Sequence, residues 1–77
     1  MKRIKNKYVI YAGKMSASGM GSSFEIGKAD TIRDAVKIAF NEKRFIKDYH
    51  LSGRDYLEIS IINTVNDEYA RVFIFEK

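Results

Sequence analysis

The chain has no cysteine and one histidine, His50. Without cysteine there is no disulfide to staple the fold, no thiolate nucleophile and no thiolate ligand for a metal. Without a second histidine, a catalytic triad would have to pair His50, which lies in a loop, with a distant serine and acid. Nor does any apolar run approach the roughly 20 residues that span a bilayer. The start, Met1 to Lys7, carries charge, but no apolar segment of the signal-peptide kind follows it. The expectation is a cytoplasmic protein with no membrane contact and no cofactor.

Other motifs are also missing. Gly19-Met20-Gly21-Ser22-Ser23 hints at a phosphate cradle. It lacks the Gly-Lys-Ser/Thr that completes one, and it leads into a strand where a helix N-terminus is needed. Its better reading is a loop whose Met15 and Met20 can adapt to a partner. Asp48, Asp55, Asp67 and Glu68 sit at element ends without converging, and no zinc or calcium pattern is spelled out. These absences point to a protein that acts by binding, not by catalysis.

What is present is enough for one small core. Seventy-seven residues make a single domain, of which 45% are apolar and 13% aromatic. A domain of this size buries only about 60% of its unfolded surface, so apolar packing must carry its stability. The net charge is +4. Lys2, Arg3, Lys5 and Lys7 account for that surplus, because the basic and acidic residues from Tyr8 onward balance. The chain therefore divides into a basic N-terminal arm, 1–7, and a neutral body, 8–77. Such an arm can touch phosphates or an acidic protein surface, or serve only as a solubilising terminus.

Along the body the apolar period changes twice. Tyr8-Val9-Ile10-Tyr11-Ala12 reads as a strand, and the glycine- and serine-rich stretch 14–22 as a long hairpin loop. Residues 23–28 alternate as a second strand. Ile32, Ala35, Val36, Ala39 and Ile46 then recur at helical spacing, predicting a helix over 31–48. Thr31 and Asp34 form a capping-box pattern at its start, and Lys43, Arg44 and Lys47 suit the dipole at its end. Tyr56 to Asn63 and Tyr69 to Phe75 are two further strands, joined by turn residues at 65–68.

The order ββαββ with a right-handed crossover predicts an α+β fold. Its sheet is four-stranded and antiparallel, in order 2-1-3-4, with one helix on one face. Strict alternation places Tyr8, Ile10, Ala12, Phe24, Ile26, Leu57, Ile59, Ile61, Ala70, Val72 and Ile74 under the helix. The other face receives Val9, Tyr11, Glu25, Tyr56, Glu58, Ser60, Ile62, Tyr69, Arg71, Phe73 and Phe75. That face is too apolar for plain solvent exposure and reads as an interface. Tyr11, Tyr56, Ile62, Arg71, Phe73 and Phe75 are its candidate anchors, for a protein partner or a second copy. Flipping the last strand would leave the face apolar, since Val72 and Ile74 would then point outward. Base stacking on the sheet, or cover by the arm and loops, are the alternatives. A second candidate surface is basic: Lys2, Arg3 and Lys5 of the arm with Arg33, Lys37 and Arg44 of the helix, for phosphates or an acidic protein.

The element order resembles that of some small phage-encoded inhibitors, notably certain anti-CRISPR proteins. The local likeness is the capped helix entry Ala29-Asp30-Thr31-Ile32-Arg33-Asp34-Ala35-Val36-Lys37-Ile38-Ala39 after a strand. It extends from the first strand through the helix, and the same entry also looks like that of HicB-type antitoxin domains. The resemblance implies a function class and no individual site residues. The class is a compact, non-enzymatic protein that blocks a larger nucleoprotein complex by occupying one of its surfaces. A small nucleic-acid-binding or antitoxin-like regulatory module is the alternative.

Overall fold

The computed structural model describes residues 4–16 and 21–77. Strands β1 (Tyr8–Met15) and β2 (Gly21–Ala29) are followed by helix α1 (Ile32–Lys43) and a single 3₁₀ turn, η1 (Ile46–Tyr49). Strands β3 (Tyr56–Asn63) and β4 (Glu68–Glu76) complete the fold. The sheet order is β2-β1-β3-β4 and each neighbouring pair is antiparallel. The expected α+β architecture is therefore the one formed. Both strands of the first hairpin are longer than their sequence pattern suggested, and they take in the two ends of the glycine- and serine-rich stretch, Lys14 and Met15 on β1 and Gly21 and Ser22 on β2. Residues 17–20, with Met20 among them, lie outside the described residues.

The helix starts where the period changes. Thr31 is extended and its hydroxyl accepts the Asp34 backbone N–H at 3.2 Å, satisfying one of the four donors a helix start leaves open. The helix ends earlier than its apolar spacing implied, at Lys43, not Asp48. The Arg44 N–H bonds to the Asn41 carbonyl, three residues back, and the chain then tightens into η1. Ile46 and Tyr49 are three residues apart, so a 3₁₀ turn brings both onto the core.

The core lies between the helix and the middle strands. Ile10, Leu57, Ile59 and Ile61 are fully buried, and each contributes about 1.5–3 kcal/mol by leaving water. Ala12, Ala35 and Ala39 are also fully buried, and these small side chains let helix and sheet approach closely. Gly27 allows the same on β2, where a Cβ would stand 3.2 Å from Ile38 Cγ2.

Two β-bulges break strict alternation. In β2, Ile10 pairs with Gly27 and Tyr11 with Glu25, which makes Ile26 the extra residue. In β4, Ile61 pairs with Arg71 and Ile62 with Tyr69, which makes Ala70 the extra residue. Beyond Ala70 the strand presents the faces opposite to those expected. Phe73 lies beside Ile59 and Phe75 beside Leu57, on the helix side. Val72 and Ile74 face away, 47% and 59% exposed. Both alternating sets in β4 are apolar, so pattern alone could not choose between them. Packing decides it: the two phenylalanine rings have more surface to bury, and Phe40 of the helix meets both.

Candidate functional site

With β4 turned over, the residues singled out from sequence regroup into two surfaces. Tyr11, Tyr56 and Ile62 lie on the open sheet face, as expected, and all three are half-buried. Phe73, Phe75 and Arg71 do not join them, because pairing with Ile59, Leu57 and Ile61 puts all three on the helix side. The open face nevertheless stays apolar. Cross-strand pairing aligns Val9, Ile62 and Tyr69 in one row and Tyr11, Ser60 and Val72 in the next. Ile74 stands beside Glu58 in the third row.

The displaced residues meet the basic stripe of the helix. At 100° per residue, positions 33, 37, 40 and 44 fall within about 60° of arc. Arg33, Lys37 and Arg44 are exposed there. Phe40 borders the stripe on the β4 side. Its ring meets Phe73 edge-on, centroids 5.1 Å apart, and Phe75 at 5.7 Å. Lys43 Nζ lies 4.9 Å from the centroid of the Phe75 ring. Arg71, exposed and two residues before Phe73, extends the same face by about 7 Å along the strand. Arg33, Lys37, Lys43, Arg44 and Arg71 thus form a basic band from the outer face of α1 to the edge strand, over a floor of three phenylalanines.

Only part of the basic arm can be placed. Lys2 and Arg3 lie outside the described residues. Lys5 is exposed. Its neighbours are tied to the body: the Asn6 N–H donates to Asp30 Oδ1 at 2.6 Å, and the Lys7 carbonyl accepts from the backbone and the hydroxyl of Thr64, both at 2.8 Å. His50 is exposed and left-handed, with φ 52°, where it ends η1.

The other side of the helix carries an arrangement that spacing did not reveal. Glu42 points about 180° from Arg33 on the helical wheel, toward β2. Its carboxylate accepts the Tyr49 hydroxyl. Burial pushes the Tyr49 phenol above its ordinary range, and the hydrogen bond to Glu42 and the charges of Glu42 and Asp48 push it further. The Phe24 ring stacks on Tyr49, centroids 6.3 Å apart and planes 13° off parallel. Phe24, Glu42, Phe45, Asp48 and Tyr49 line a cleft of about 410 Å³. They come from β2, α1, the turn after it and η1, and no single element contains the pattern. The one sequence signal was Phe45, an aromatic residue set among charges and off the core spacing of the helix.

The domain is therefore polarised across its helix, basic toward β4 and acidic-aromatic toward β2. Comparison with protein-family models, curated proteins and solved structures finds no match to the chain.

Proposed function

We propose that this chain is a non-catalytic binding protein that occupies a surface of a nucleoprotein complex, as the small phage inhibitors do whose element order it resembles. The observation that carries this reading is the basic band over the aromatic floor on the α1–β4 flank. Five cations on one side of a domain suit a row of phosphates, and their attraction needs no particular base sequence. Phe40 supplies a ring against which an unpaired base can lie. The charge also speaks for contact with the anionic part of such a complex and against imitation of it. A protein that mimics nucleic acid needs surplus acid, whereas this chain carries +4.

Fluorescence anisotropy with labelled single- and double-stranded oligonucleotides tests the reading. Binding at low salt that weakens steeply as salt rises supports it, because each neutralised phosphate releases counterions. No binding at low salt would remove the phosphate contact.

The open sheet face supports a second reading, a protein interface or a homodimer. Tyr69, Val72 and Ile74 are well exposed there beside Tyr11 and Ile62, and a contiguous apolar patch of this kind commonly marks an interface. Sedimentation over a concentration series separates the two cases: self-association lost in Val72→Ser favours the dimer, and a monomer throughout favours a different protein partner.

A further inference from the structure

We propose that the cleft between α1, η1 and β2 receives the cationic end of an arginine or lysine side chain from a protein partner. Its walls are three aromatic rings and its polar groups are two carboxylates. Phe24 and Phe45 are 55% and 50% exposed and neither packs into the core, so ring surface beyond the Phe24–Tyr49 stack is open to a ligand. Aromatic faces carry negative electrostatic potential and attract cations, most of all where water is partly excluded. Glu42 and Asp48 add formal negative charge, and neither makes an ion pair among the described residues. The basic residues nearest in sequence do not supply one: Arg44 belongs to the outer stripe, Lys43 is engaged with Phe75, and Lys47 lines a different cleft with Ile46, His50, Leu51 and Lys77.

The Tyr49–Glu42 hydrogen bond contributes orientation. Tyr49 remains protonated through the neutral range, so its hydroxyl holds one carboxylate oxygen of Glu42 and leaves the other for an incoming N–H donor. A planar guanidinium can stack on a ring and donate to a carboxylate at once, which favours arginine over lysine. At about 410 Å³ the cleft is at the small end of ligand sites, sized for one side chain. Anionic ligands are repelled by the two carboxylates.

This proposal is independent of the α1–β4 flank, which lies on the other side of the helix, so either can fail alone. The test is an NMR titration of the ¹⁵N-labelled chain with acetyl-Gly-Arg-Gly-amide and with its citrulline counterpart, a neutral shape match. The arginine peptide is expected to give saturable shifts at Phe24, Phe45 and Tyr49, and the citrulline peptide is expected to bind at least fivefold more weakly. Phe45→Ala and Glu42→Gln should each weaken arginine binding at least fivefold. Phe45 is outside the core, so its variant should keep the parent melting curve. A thermal melt of each variant confirms that the fold is intact. Equal affinity for arginine and citrulline, shifts that map away from these residues, or full binding by folded Phe45→Ala would overturn the proposal. Tighter binding of tetramethylammonium than of the arginine peptide would overturn the assignment to a protein side chain.

Discussion

Phe40 on the helix and Phe73 on the last strand meet edge-on, with ring centroids 5.1 Å apart and planes at 62°. This contact ties the edge strand to the helix, since the helix backbone lies over β1, β2 and β3. It also explains which face of β4 is buried. Phe73→Ser should therefore destabilise the domain by roughly 2–4 kcal/mol, somewhat less than a fully buried aromatic would cost. Val72→Ser, one residue away on the open face, should stay within about 1 kcal/mol of the parent. Urea melts of the two variants, at concentrations where the parent is monomeric, check this. A large loss for Val72→Ser with none for Phe73→Ser would mean that the strand is turned the other way.

The close pairing of β1 and β2 depends on Gly13. A Cβ there would lie 2.0 Å from the Ser22 carbonyl oxygen and 2.7 Å from Ser23 Cα, and backbone cannot step aside as a side chain can. Gly13→Ala should cost roughly 1–3 kcal/mol through forced displacement of the hairpin. Amide hydrogen exchange along β1 and β2 should accelerate with it, while unchanged exchange would show that the pairing tolerates the methyl group.

Removing the helix cap gives a smaller effect. Thr31→Ala deletes the acceptor for the Asp34 N–H and should cost about 1 kcal/mol, with Thr31→Ser close to neutral. Thermal melting of both variants checks the cap, and equal melts for Ala and Ser would deny it a role.

The raised Tyr49 phenol makes stability depend on alkaline pH. The unfolded chain releases this proton near pH 10, whereas the folded chain holds it to higher pH because burial and Glu42 disfavour the phenolate. The contribution is therefore complete below about pH 10 and is lost as pH rises through the folded value. Parent and Tyr49→Phe should show similar pH dependence from 6 to 9, and the parent should lose more stability from 9 to 11. Denaturant melts across that range check the sign, and equal losses in both would contradict it.

Much of the fold could be read from residue order alone. The switch from alternation to helical spacing near Asp30 marks the one helix, and a right-handed crossover leaves β1 a central place between β2 and β3. The facing of β4 was hidden for a physical reason. Val72 with Ile74 and Phe73 with Phe75 are both credible core sets, and the outcome depends on Phe40, 33 residues before Phe73. The bulge at Ala70 gave no local warning, since it follows an ordinary turn. The end of the helix was hidden in the same way, because Ile46 fits helical spacing and the 3₁₀ turn equally well. The candidate surfaces inherit these limits. Tyr11, Tyr56 and Ile62 needed only parity in β1 and β3, strands paired without a bulge, whereas the union of Arg71 with the helix stripe and the cleft around Tyr49 needed tertiary contacts.

The central claim is that the α1–β4 flank, and not the open sheet face, meets phosphate. The most direct measurement compares oligonucleotide anisotropy for the parent, the double variant Arg33→Glu with Arg71→Glu, and Tyr11→Ser. All three replaced residues, Arg33, Arg71 and Tyr11, are outside the fully buried core, so each protein should fold, and circular dichroism verifies it. The flank variant is predicted to lose tenfold or more in affinity at low salt and to show a shallower salt dependence, with Tyr11→Ser within about twofold of the parent. Full affinity in the flank variant, or a loss confined to Tyr11→Ser, would contradict the account.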